Sequence, residues 1–175
     1  MSEGAGVHNA GAVREPPFRI VLTFLLLLGL LNGAYQLEKR LSGRILDLPY
    51  SGLVTAGAAL VGMWTLPIPV DRRGDITLGS GNTEVMVRGG CNGLEAVFLM
   101  AAGVLAYPAP WRRRGQALLV YLPILFVLNL LRVAMLLYVM AVHPSYIDFF
   151  HYQIGQGVLV VFVFGFWAHY IRREA

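Results

Sequence analysis

The chain has 175 residues, 57% of them hydrophobic and only 14% charged, with a net charge of +4 at pH 7. A soluble domain of this size carries about 25% charged residues, so the composition excludes an ordinary soluble domain and indicates a small polytopic membrane protein built as one domain. The basic residues cluster beside apolar runs and form no basic face with interleaved aromatics, which excludes nucleic acid as a partner, and the single cysteine excludes an internal disulfide.

In chain order, residues 1–17 are polar and rich in Gly and Ala, end in Pro16-Pro17, and read as a flexible N-terminal tail. Residues 18–175 read as one transmembrane domain. Residues 18–37 form the first apolar run; it is long and lacks a small-x-small cleavage site, so it reads as an anchor and not a signal peptide. Residues 50–66 form the second, short and rich in Gly and Ala, as suits packing against neighbouring helices.

Residues 67–90 are polar. Ile76 and Leu78 on one side of Gly79-Ser80-Gly81-Asn82, and Val85 and Val87 on the other, predict a short β-hairpin. It leads straight into Gly89-Gly90-Cys91. The third run is 92–107, closed by Pro108 and Pro110, the fourth is 116–142 and the fifth is 149–170. Each has about the ~17–25 residues needed to cross a bilayer. The expected fold is all-α: a polytopic transmembrane helical bundle of about five spans, with a short outer-side β-hairpin or loop.

Positive charge marks cytoplasmic loops. Arg112, Arg113 and Arg114 assign the loop between the third and fourth runs to the cytoplasm, and Arg172 and Arg173 assign the C-terminus there. Lys39, Arg40 and Arg44 assign the first loop to the same side. These agree with five alternating spans and an outside tail, against which Arg14 and Arg19 argue. A re-entrant segment would resolve that conflict. Cys91, the hairpin and the loop from His143 to His151 then lie on the outer side.

Three residues stand out for chemistry. Arg132 is the only formal charge in residues 121–140, YLPILFVLNLLRVAMLLYVM. An arginine at such a position costs at least ~2.5–3.5 kcal/mol on insertion scales, so it is expected to face a polar cavity with a partner. It lies about ten residues, ~15 Å, before the end of its helix, from where it can snorkel outward. Asn129 is three residues earlier on the same helix face. Glu95 is a candidate partner, and a lipid phosphate is another.

Cys91 follows two glycines and opens a helix, where unpaired N–H groups and the helix dipole stabilise a thiolate. It can equally be an inert small hydrophobe. His151 can take the thiol proton and return it to a leaving amine, or it can be an interfacial histidine bonded to backbone. His143 is a rival base, though its neighbour Pro144 marks it as a helix-end residue. Arg88 reads as an exposed loop charge. Cys91, His143, Asp148 and His151 show no compact ligand spacing, and a nearby arginine repels a cation; neither metal nor cofactor is expected.

Together these segments resemble the exosortase and archaeosortase family. Gly90-Cys91-Asn92-Gly93-Leu94 resembles its G-C-x-G-[LI] signature, Asn129-Leu130-Leu131-Arg132 its N-x-x-R element, and His151-Tyr152-Gln153-Ile154-Gly155 its H-x-x-x-G element. The order matches, over residues 82–170. The compact length and Asn92 are most similar to the small exosortase H type, linked to an IPTLxxWG-type tail. The resemblance implies a membrane-embedded cysteine transpeptidase of the bacterial inner membrane, with its active site near the periplasmic face. Its partners would be membrane lipids and exported proteins bearing a C-terminal motif, a hydrophobic helix and a basic tail. It makes Cys91 the nucleophile, His151 the acid/base and Arg132 the charge stabiliser. Asn129, Gly90, Gly93, Glu95 and Gly155 would be substrate-contacting or supporting residues. The acyl acceptor stays open between water, a lipid and a glycan. The competing reading is a non-catalytic membrane subunit, or a carrier for a lipid or anion.

Overall fold

The computed structural model describes residues 16–174, so the expected tail lies outside the described residues apart from Pro16 and Pro17. Five α-helices appear in chain order: α1 Pro17–Leu41, α2 Asp47–Thr65, α3 Leu94–Ala106, α4 Trp111–Val142 and α5 Gln156–Glu174. Between α2 and α3 lies a three-stranded antiparallel sheet, β1 Asp71–Arg72, β2 Thr77–Ser80 and β3 Thr83–Met86, in the order β1-β2-β3. The expected hairpin is β2–β3, in a register that pairs Leu78 with Val85. β1 adds a third strand that two residues of polar sequence could not announce. The segment Phe149–Gly155 is π-helical and runs into α5.

Two cores hold the chain together. Met100, Val104, Ala117, Tyr121, Leu125, Val163 and Tyr170 form one, between α3, α4 and the far half of α5. Val54, Ala58 and Ala59 of α2, Leu78 and Val87 of the sheet region, and Leu130, Val133 and Leu137 of α4 form the other. The long helix α4 therefore serves both layers. Burying each Val, Leu or Met among them stabilises by ~1.5–3 kcal/mol, although in a membrane the first layer is held more by close packing than by exclusion of water.

The five-span reading needs correction. Among the described residues, α1, α4 and the Phe149–Glu174 segment are long and apolar enough to cross a membrane, and α3 is a shorter apolar helix. The second expected span, residues 50–66, became α2, which runs alongside the distal half of α4 in the same direction. Tyr50 meets Phe126, with ring centroids 6.3 Å apart, and further along Gly57 sits against Leu130. The chain thus does not recross the bundle between α1 and α2. The Gly/Ala-rich surface of α2 packs against α4, and in sequence such a surface is as apolar as one that faces lipid.

This changes the ends. A cleft at the start of α1 is lined by Arg19, Leu105, Pro108 and Arg114, so the first turn of α1 shares the arginine-rich end of the bundle. The end of α1 lies at the opposite end, where Tyr35 meets Asn92. Lys39, Arg40 and Arg44 therefore belong to the Cys91 end and not to the Arg112–Arg114 end as expected. The turn after α1 is tied down by Glu38, whose carboxylate accepts from the backbone N–H groups of Ile45 (3.0 Å), Leu46 (3.4 Å) and Asp47 (3.4 Å). A carboxylate satisfies the orphan donors and complements the dipole at a helix N-terminus.

Candidate active site

Cys91 sits in the turn between β3 and α3. Its N–H and that of Asn92 both donate to the carbonyl of Arg88, at 2.8 and 3.0 Å, which coils the turn tightly. Gly90 and Gly93 take positive φ angles of +94° and +78°, conformations that only glycine adopts at little cost. At Gly93 there is also no room: an added Cβ would lie 2.5 Å from Cγ of Asn129.

His151 comes from the π-helical segment. Its Nδ1 lies 3.4 Å and its Nε2 3.6 Å from Sγ of Cys91. Single π turns recur at functional sites because the extra residue per turn redirects side chains. The His151 ring stands edge-on to Tyr152, with centroids 4.6 Å apart. His143 ends α4 and stands edge-on to Tyr146, 6.3 Å away, while Cys91 has His151 beside it. Arg88 is exposed.

Arg132 is buried and crosses from α4 to the turn. Its Nη2 donates to the Gly90 carbonyl at 3.3 Å and its Nη1 to Oδ1 of Asn129 at 3.5 Å, while its Nε has no hydrogen-bond partner among the described residues. Gly155 makes this possible, since an added Cβ would stand 2.7 Å from that Nε and 2.9 Å from the Phe150 carbonyl. Glu95 does not form the ion pair considered from sequence; its Oε1 accepts from the Gly90 N–H at 3.1 Å. Gly90 is thus held by a carboxylate at its nitrogen and a guanidinium at its oxygen. Asn129 completes the clamp by donating to the Asn92 carbonyl at 2.7 Å.

Burial raises the Cys91 thiol above the ordinary cysteine range; the charge of Arg132 pulls it down and that of Glu95 pushes it further up. Burial thus works against the thiolate, and a base beside the sulfur would offset that cost. Beside the turn, between α3, α4 and α5, lies a cleft of ≈ 320 Å³. Glu95, Arg132 and Gln156 supply its polar groups, and Ala96, Leu99 and Leu159 its apolar wall.

Sequence reasoning missed Tyr35, Asp47 and Ser51, which surround the side chain of Asn92, and gave Asn92 itself no role. The only signal was an aspartate opening an apolar segment. Gln156, one residue beyond the H-x-x-x-G element, was missed too.

These features define a class: an integral membrane helical bundle that carries a cysteine–histidine pair and a buried arginine at one end of its helices. A family model described as transmembrane exosortase matches residues 17–168. The chain belongs to the transmembrane exosortase family, and the match extends the likeness well upstream of residue 82. No curated protein and no solved structure matches it.

Proposed function

We propose that this exosortase is a membrane-embedded cysteine peptidase and transpeptidase that cleaves C-terminal sorting signals of exported proteins. The observation that carries the reading is the 3.4 Å approach of Cys91 Sγ to His151 Nδ1. That is within reach for proton transfer from a thiol whose own ionisation is disfavoured by burial.

In this reading His151 accepts the thiol proton as the sulfur attacks the scissile carbonyl. Arg132 stabilises the thiolate and the oxyanion that follows, from a fixed position that needs little reorganisation. Collapse of the tetrahedral intermediate breaks the C–N bond, His151 returns the proton to the leaving amine, and a thioester on Cys91 remains. Water, or an acceptor with a free hydroxyl or amine, then attacks the thioester and gives up its proton to His151; the C–S bond breaks, and the expelled Cys91 thiolate takes that proton back.

The arginine-rich end is the cytoplasmic one under the positive-inside rule. Cys91 then lies at the outer boundary of the inner membrane: Arg132 is 21 residues beyond Trp111, or ~32 Å along α4, against ~30 Å of hydrocarbon. A substrate helix with its basic tail in the cytoplasm would bring its motif to the same depth, and the apolar cleft between α3 and α5 would hold it near the thiol, supplying proximity.

The test is processing of a co-expressed protein bearing a sorting tail. Cys91→Ala abolishes the size shift at unchanged enzyme abundance. Arg132→Lys impairs it, because a point charge cannot reproduce the planar fork that spans Gly90 and Asn129. Unaltered processing in Cys91→Ala supports the non-catalytic subunit or carrier instead.

A further inference from the structure

The turn that carries Cys91 is anchored by a polar cluster buried where α1, α2 and α3 meet. Asn92 is fully buried, and its side chain bonds into this cluster. Its Nδ2 shares two hydrogens among three acceptors: Tyr35 Oη at 3.1 Å, Ser51 Oγ at 3.2 Å and Asp47 Oδ1 at 3.3 Å. Its Oδ1 accepts from the Leu94 N–H at 3.1 Å, the first turn of α3. Tyr35 in turn donates to Asp47 Oδ1 at 2.5 Å. Tyr35, Asp47 and Ser51 are themselves buried.

A buried carboxylate is costly unless its lone pairs are occupied. Hydrophobic packing alone would join α1 to α2 more cheaply, so the cluster calls for a reason beyond stability. We propose that Asp47, with Tyr35 and Ser51, positions the nucleophile: it fixes the Asn92 side chain, and through it the rotation of the 91–93 backbone that aims Sγ at His151. None of these groups is hydrogen-bonded to the thiol, whose partner among the described residues is His151. On the opposite side Asn129 grips the Asn92 carbonyl, so residue 92 is held by its side chain from α1 and α2 and by its backbone from α4. The inference rests on the peptidase reading for its effect on processing, but not for its effect on the thiol.

A charge swap tests it. Asn92→Asp sets two carboxylates within about 3.3 Å in a buried site, and one must move or take a proton. Asp47→Asn combined with Asn92→Asp restores a donor opposite an acceptor while keeping the Tyr35 and Leu94 bonds possible. Two readouts are taken on full-length protein in detergent: the iodoacetamide alkylation rate of Cys91 at pH 7.5 (a chosen condition, near the working pH of a thiol site), and kcat and KM for a sorting-tail substrate. Positioning predicts that Asn92→Asp lowers kcat about 100-fold, the effect of a ~1 Å misplacement, with KM little changed. Alkylation falls to the rate of His151→Gln, and the double variant recovers most of both. Wild-type alkylation in Asn92→Asp, or a folded double variant no better than the single, overturns the proposal.

Should Asn92→Asp fail to fold, Ser51→Ala decides. It removes one acceptor, and a severalfold fall in alkylation supports the proposal while no change overturns it. If the wild type processes no substrate, the peptidase reading fails, yet the alkylation series still supports or overturns the positioning role by itself.

Discussion

Asn129 Nδ2 donates to the Asn92 carbonyl at 2.7 Å, a bond that spans 37 residues of sequence and ties the middle of α4 to the turn holding Cys91. The same Asn129 accepts from Arg132 through its Oδ1. One amide therefore holds both the turn that carries Cys91 and the Arg132 guanidinium.

Replacing Asn129 by Ala leaves the Asn92 carbonyl and Arg132 Nη1 each short of a partner. Leaving a buried group unsatisfied costs about 1–3 kcal/mol. The expected outcome is a roughly 10- to 100-fold fall in the initial rate of sorting-tail cleavage by purified enzyme. Circular dichroism should show the helices retained. An undiminished rate would mean that Arg132 and Cys91 are fixed by other contacts.

The thiol titration has a definite sign. Burial disfavours the thiolate, so the alkylation rate of Cys91 rises with pH through a midpoint above the ordinary cysteine value of about 8.5. Glu95 raises that midpoint, so Glu95→Gln moves it down. Arg132 lowers it, so Arg132→Gln moves it up. The chain has one cysteine, so mass spectrometry of iodoacetamide adducts against pH reads the site directly. Opposite shifts in the two variants are the expected result, and shifts of the same sign contradict the electrostatic account.

The arrangement of α1 and α2 predicts a topology. In a Cys91→Ala background, Ser42→Cys and Thr83→Cys should react with an impermeant maleimide from the same side of the membrane. Gly115→Cys should react only from the other side. Labelling of Ser42→Cys and Gly115→Cys from one side would restore the alternation of five spans.

The segments that meet in the candidate site were legible in the sequence because each carries its own signal. A lone charge in an apolar helix, a cysteine after paired glycines and a histidine before a spaced glycine are each local, and their order along the chain reported the family. What was not legible lies in non-local packing. Residues 50–66 are apolar enough to pass for a short span, and only tertiary contacts such as Tyr50 with Phe126 and Gly57 against Leu130 reveal that α2 packs beside α4. Span parity followed from that one assignment, so the side given to Lys39, Arg40 and Arg44 failed with it. Glu95 illustrates a different limit: spacing placed it near Arg132, yet the tight turn offers the Gly90 N–H as a nearer donor. Tyr35, Asp47 and Ser51 come from two helices far from Cys91 in sequence, and no motif links them to it.

The most direct measurement is the chemical state of Cys91 during turnover. Enzyme and a sorting-tail substrate are mixed, quenched in acid and digested, and the peptide containing Cys91 is weighed by mass spectrometry. A thioester to the N-terminal fragment of the substrate, released by neutral hydroxylamine and missing from Cys91→Ser, is the predicted result. Substrate cleaved at the wild-type rate by Cys91→Ala, with no fragment ever attached to the wild-type thiol, would contradict the account.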